Sequence, residues 1–186
     1  MKPMRMGGLT MKKTLIVVDM QNDFIDMALG TKEAMAIVPK VKAKIEEYVK
    51  NGDEIIFTRD THFENYLDTA EGKKLPVPHC IKGSDGWELA PEIAEALSGK
   101  KYEKFQKETF GATALPAYMQ EKIRHFDEIE LFGICTDICV ISNALILKNS
   151  FPEIPITVHS ALCAGVTPEK HEAALEVMRS CQINVI

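Results

Sequence analysis

The run Thr14-Leu15-Ile16-Val17-Val18-Asp19 constrains the fold more than any other stretch of the chain. Its consecutive β-branched and aliphatic residues show no polar alternation, which describes a strand buried on both faces, the habit of a central strand in a parallel sheet. A parallel sheet needs crossover helices, and the chain supplies segments that can form them. Val38, Val41, Ile45 and Val49 recur at helical spacing across residues 37–50, and Asn51-Gly52 closes that segment as a C-cap. Residues 54–58 read as a second strand, 87–97 as a helix with Pro91 near its first turn, 102–107 as a third strand and 115–125 as a helix. Residues 128–132 and 154–159 are the fourth and fifth strands, 168–180 a helix capped by Thr167, and 183–186 the sixth strand. Strands alternating with helices predict a three-layer α/β/α, Rossmann-like domain around a six-stranded, mainly parallel sheet.

That domain spans residues 12–186, preceded by a weakly ordered extension over 1–11 that is basic, rich in Met and without the apolar core of a signal peptide. A net charge of −5, with no Lys/Arg stripe interleaved with aromatics, argues against a nucleic-acid partner. No apolar run is long enough to span a bilayer. The five cysteines, Cys80, Cys135, Cys139, Cys163 and Cys181, are odd in number and scattered, which argues for free thiols in a reducing cytoplasm.

Chemistry-bearing residues gather where the predicted strands end, the edge at which open α/β sheets place their sites. Asp19 ends the first strand, and Met20-Gln21-Asn22-Asp23-Phe24 leaves it as a polar loop. After the fourth strand, Gly133-Ile134-Cys135-Thr136-Asp137-Ile138-Cys139-Val140 leads into a helix. Thr136 suits its N-cap, Asp137 its positive end, and Cys139 falls in its first turn, where unpaired backbone N–H groups favour a thiolate and can hold an oxyanion. The alternative for Cys139 is an inert buried thiol. A lysine near the third strand would lower the thiol pKa, and the Asp19 carboxylate would take its proton. Lys107 and Lys104 are both candidates; Lys107, closest to the Thr109-Phe110-Gly111 turn, is preferred.

A second cluster is Asp60-Thr61-His62, then Glu71, then His79, inside a loop over 60–86 that is long for a compact domain. On an extended segment Asp60 and His62 point the same way, and imidazole with carboxylate suits a divalent ion such as Zn, Mn or Fe. A polar loop with two incidental histidines explains the same residues. His125 is placed at a helix end, His159 at a strand end lining the site's mouth, and His171 against a strand–helix junction.

These segments together resemble the isochorismatase-like cysteine hydrolases, and among them the nicotinamidase (pyrazinamidase) branch, over nearly everything from Lys12 onward. Val18-Asp19-Met20-Gln21-Asn22-Asp23-Phe24 is similar to the family's first-strand motif, and 133–140 to its nucleophile motif. The resemblance implies the isochorismatase-like hydrolase fold, Asp19, Lys107 and Cys139 as a catalytic triad, and a cis peptide between Ile134 and Cys135. It also implies an oxyanion hole from the amides of Cys135 and Cys139. Asp60, His62, Glu71 and His79 resemble that branch's metal site, whose ion binds the substrate's ring nitrogen. Phe24 matches an aromatic that stacks on the ring. Leu75 joins the substrate-binding set where some members carry a large aromatic. The implied activity is hydrolysis of nicotinamide to nicotinate and ammonia, with another small amide, such as an N-carbamoyl compound, as the alternative. A homo-oligomer, dimer or tetramer, is implied as well.

Overall fold

Leu15, Ile16, Val17 and Val18 have no exposed surface at all in the computed structural model of the chain, which describes residues 11–97, 100, 102–123 and 125–186. They belong to β1 (Lys13–Val18), the centre of a sheet completed by β2 (Glu54–Asp60), β3 (Glu103–Lys107), β4 (Glu128–Ile134), β5 (Ile156–Ala164) and β6 (Asn184–Val185). The strands lie in the order β3-β2-β1-β4-β5-β6 and every pairing is parallel. Apart from Met11, the extension expected over residues 1–11 lies outside the described residues.

Helices α1 (Asn22–Ile25), α2 (Lys32–Asn51), α3 (Pro91–Ala96), α4 (Leu115–Tyr118), α5 (Ile141–Ser150) and α6 (Pro168–Ser180) make the connections. Helix α2 packs with α3, whereas α5 packs with α4 and α6, so the sheet carries helices on both faces. Because the chain runs from β1 outward through β2 and β3, then returns to the other side of β1 for β4, the strand order reverses between β1 and β4. A crevice opens at such a switch point, beyond the carboxyl ends of the two strands. The close approach there requires a glycine: Gly133 has φ 134°, and a Cβ at that position would sit 2.0 Å from the Val18 carbonyl oxygen.

Several boundaries differ from the sequence reading. Helix α2 starts at Lys32, five residues early, because the Thr31 hydroxyl accepts from the Ala34 amide as an N-cap and the helix continues through Pro39. Residues 22–25 form a helical turn rather than a loop. The helix expected from Trp87 begins only at Pro91; Asp85–Trp87 is a 3-10 turn capped by Ser84, and the Trp87 ring lies 3.5 Å from the Arg59 guanidinium. Thr136 is not an N-cap. Residues Thr136–Val140 form one π-helical turn flanked by Cys135, and the Thr136 hydroxyl instead meets His171 Nδ1 at 2.8 Å. Asp137 likewise turns away to accept from the Val166 amide. His159 does not line the site. Strand β5 runs five residues past it, and the ring pairs with Glu130 toward the sheet's other edge.

Candidate active site

Asp19 follows β1 with φ 49°, in the left-handed region. A non-glycine residue there costs about 1–3 kcal/mol and persists where its surroundings hold it. The Asp19 side chain is wholly buried. Its Oδ1 accepts a 2.6 Å hydrogen bond from the Thr58 hydroxyl. Its Oδ2 pairs with Lys107 Nζ at 2.7 Å, and an oxygen with two lone pairs keeps one open to a proton.

Lys107 arrives at the same point from the end of β3, where it is the register partner of Asp60. Its ammonium is 3.2 Å from Asp60 Oδ1 and 3.5 Å from Cys139 Sγ. Burial opposes the charge on Lys107, yet Asp19, Cys139 and Asp60 outweigh it and hold the ammonium well above the ordinary lysine range. Strand alternation puts Lys104 elsewhere, 5.5 Å from the Tyr102 ring.

Cys139 sits in the π turn after β4 and is 6% exposed. The peptide bond between Ile134 and Cys135 is cis. The Cys135 carbonyl accepts from the amides of Ile138 and Val140. Contrary to the expectation of a lysine-lowered pKa, burial first and the Asp19 charge second push the Cys139 thiol well above the ordinary range; Lys107 opposes them without prevailing. Burial, with Asp60 adding to it, also raises Asp19 against the pull of Lys107 and Thr58, which makes Asp19 a stronger base than an exposed carboxylate. One buried ammonium thus touches a base, a thiol and a second carboxylate, the parts that thiol-mediated acyl transfer needs.

Beyond Asp60 lies the second cluster. Asp60, His62 and His79 are buried and offer ligand atoms all within 4.8 Å of one another. Asp60 Oδ2 is 3.1 Å from His62 Nε2 and 3.6 Å from His79 Nε2. Ligands about 2.0–2.1 Å from a zinc ion stand roughly 3.0–3.4 Å apart, so these spacings fit a cation with little adjustment. His79 Nδ1 faces the Val77 carbonyl at 2.9 Å and must donate to it, so on the neutral ring Nε2 is the atom that can ligate. Burial opposes the Asp60 charge, but His62, His79 and Lys107 hold this carboxyl well below the usual range. Glu71 Oε1 stands 3.8 Å from both imidazole Nε2 atoms and is not one of the close group of three.

A cavity of about 710 Å³ opens beside this cluster, with His62, Tyr66, Glu71, Leu75, Phe110 and Ile138 among its walls. Leu75 and Phe110 are exposed within it, and Ile138 precedes Cys139 in the chain. Phe24 is buried instead, its ring centroid 5.5 Å from that of His79.

The structure adds residues to the sequence reading. Tyr66 packs its ring against both His62 and His79, at 4.8 and 5.1 Å, and donates to the Leu75 carbonyl. Asn143 accepts from the Ala112 amide and donates to the Cys139 carbonyl, fastening the loop after β3 to the turn that carries the thiol. Thr58 was within reach of sequence reasoning, since a side chain two residues before Asp60 on a strand shares its face.

Compared with known proteins, residues 13–186 match the family model for the isochorismatase domain. An isochorismatase family protein of Bacillus subtilis, PncA, which is described as uncharacterized, is 31% identical over 175 residues, covering 89% of this chain and 93% of its own. The crystal structure of nicotinamidase/pyrazinamidase PncA from Bacillus subtilis superposes with a TM-score of 0.81 at 29% identity, over 94% of this chain and 99% of that one. Pyrazinamidase of Pyrococcus horikoshii in complex with zinc gives 0.78 at 26% identity, over 94% and 98%.

Proposed function

The chain belongs to the isochorismatase family, and within that family we propose that it is a nicotinamidase, hydrolysing nicotinamide to nicotinate and ammonia. The observation that carries the reading is the Lys107 ammonium lying against Asp19, Cys139 and Asp60 at once. Asp19 takes the Cys139 proton onto Oδ2 as sulfur attacks the amide carbon. The amides of Cys135 and Cys139 receive the charge that develops on oxygen. As the C–N bond breaks, Asp19 returns its proton to nitrogen and ammonia leaves, with the acyl group held on sulfur as a thioester. A water then gives a proton to Asp19 and its hydroxide displaces sulfur, releasing the acid; the proton goes back to Cys139. Lys107 stays charged throughout, offsetting the negative charge that moves between carboxylate and sulfur.

Asp60, His62 and His79 would hold a divalent ion such as zinc, with Glu71 beside them, and when bound it would supply a Lewis acid for the pyridine nitrogen. Leu75 borders the cavity where a ring would sit, and Phe24 packs against the His79 ring. The similarity to a zinc-bound pyrazinamidase supports this assignment.

Ammonia release from nicotinamide is the test. The unaltered protein turns over, whereas Cys139→Ala loses all detectable turnover with its Tm unchanged; full turnover by Cys139→Ala sinks the proposal. A second reading, cleavage of an N-carbamoyl or other small amide at the same thiol, is favoured by Leu75 on the cavity wall, an aliphatic side chain that offers a ring no aromatic partner. Running the assay across nicotinamide, pyrazinamide and several carbamoyl amides separates the two.

A further inference from the structure

The link between β1 and α1, together with the first turn of α1, reaches into both chain segments that carry the proposed ion ligands. Gln21 is wholly buried. Its Oε1 accepts from the Asp60 amide at 2.7 Å, and its Nε2 donates to the carbonyls of Asp60 and Trp87, both at 2.9 Å. A side-chain amide so placed clasps the N–H and C=O of one residue, as a neighbouring strand would. Two residues on, Asp23 Oδ2 accepts from the amide of Cys80, the residue after His79, at 2.7 Å. Its Oδ1 accepts from the Ala28 amide at 3.3 Å. Gly86 lies so near that a Cβ there would fall 2.1 Å from Asp23 Oδ2, which closes one direction of escape for the carboxylate.

Cys80 itself has φ 47°, a conformation that its surroundings must hold. Its carbonyl accepts from the His62 amide at 2.9 Å. Asp60, His62 and His79 are therefore tied into one frame through their backbones, with Gln21 at the end of the β1–α1 link and Asp23 in α1 as its struts. The same link begins just after Asp19.

We propose that Gln21 and Asp23 are positioning residues of the ion site, holding the backbones of Asp60 and of the His79–Cys80 segment so that the three ligand atoms converge. The inference rests on the reading of Asp60, His62 and His79 as cation ligands. Partners just outside a metal's ligands are typically worth about 10–100-fold in affinity. Gln21 and Asp23 act one step further back, on the ligands' main chain rather than on their rings and carboxylate.

The experiment is zinc binding by chelator competition on the full chain, stripped of metal and titrated with Zn²⁺, with the Tm of each stripped protein alongside. Gln21→Met and Asp23→Asn weaken Zn²⁺ binding by roughly 10-fold or more. Glu130→Gln, a buried substitution at the opposite edge of the sheet, lowers Tm and leaves the zinc affinity where it was. Should Gln21→Met fail to fold, Gln21→Glu, which keeps the volume and the acceptor for the Asp60 amide, and Asp23→Asn carry the measurement. Native zinc affinity in the folded positioning variants overturns the inference even if their Tm falls, because a merely structural role moves Tm alone. Absence of Zn²⁺ binding by the unaltered chain overturns the ion-site reading, and the inference with it.

Discussion

Thr58 is one of the groups that hold down the pKa of Asp19 against burial. Its hydroxyl donates a 2.6 Å hydrogen bond to Oδ1 of the buried carboxylate, whose Oδ2 pairs with Lys107. Burial already raises Asp19, and the Thr58 hydrogen bond is one of the forces opposing that rise. Thr58→Val removes the donor at nearly constant volume, so the folded pKa of Asp19 climbs further. Under the proposed mechanism Asp19 must be ionised to take the thiol proton, so kcat/KM rises with pH through that pKa. The acid limb of the profile in Thr58→Val therefore moves to higher pH. A hydrogen bond to a charged group is worth about 1.5–3 kcal/mol, which corresponds to roughly one to two pH units. A pH–rate profile on nicotinamide checks it, and an unmoved acid limb would show that Asp19 is not the base. The acid, the lysine and the thiol were legible because each ends or follows a strand on the side where such sheets gather their chemistry. Asn143 was not, because an amide inside a helix carries no signal until its partner from a distant segment, the Ala112 amide, is known.

The elements that shape the crevice were readable as types and misread at their ends. Alternation of strand and helix was enough for a parallel sheet, since each strand's apolar run and each helix's spacing is local information. The π turn of Thr136–Val140 was not readable, because what draws Thr136 and Asp137 out of capping roles is His171 and the Val166 amide, brought by β5 and α6. Gly133 is where that turn depends on the sheet. With φ 134° and the Val18 oxygen 2.0 Å from any added Cβ, it lets β4 lie against β1 just before the chain enters the thiol turn. Gly133→Ala combines a conformation L residues rarely adopt with a clash against backbone that cannot swing aside. The expected loss is about 3 kcal/mol or more, read as a lower urea midpoint at unchanged m-value. Gly52→Ala makes the contrast. Gly52 is also left-handed, φ 76°, but has open space around it as the C-cap of α2, so the cost there is about 1 kcal/mol.

Across the whole molecule, the reactive groups occupy one edge of the sheet and a separate buried ionic network occupies the other. Glu130 of β4 is 3% exposed; its Oε1 meets Lys13 of β1 at 2.6 Å, and its Oε2 meets His159 of β5 and, at 3.9 Å, Lys44 of α2. Burial disfavours its charge, but His159, Lys13 and Tyr48 outweigh burial and lower the carboxyl from 4.5 to about 2. A carboxyl whose folded pKa lies below its unfolded value contributes stability that is complete above the unfolded value and disappears as pH falls through the folded one. The window here runs from about pH 4.5 down to about 2, and the difference corresponds to about 3 kcal/mol at neutral pH, trimmed where Lys13 meets solvent. Lys13 has the opposite sign: its ammonium is raised above 10.5 by Glu130 and Glu128, so its share is present below that value and is lost as pH climbs beyond it. Glu130→Gln should accordingly lower Tm at pH 7 by roughly 4–8 °C, with the gap to the unaltered protein narrowing as pH approaches 2. Since no reactive group lies in this network, kcat on nicotinamide at 25 °C stays at the native value in the same variant. Calorimetry at several pH values, paired with the ammonia assay, measures both halves of the expectation. A gap in Tm that holds constant down to pH 2 would mean that Glu130 stabilises the fold by packing rather than by its charge.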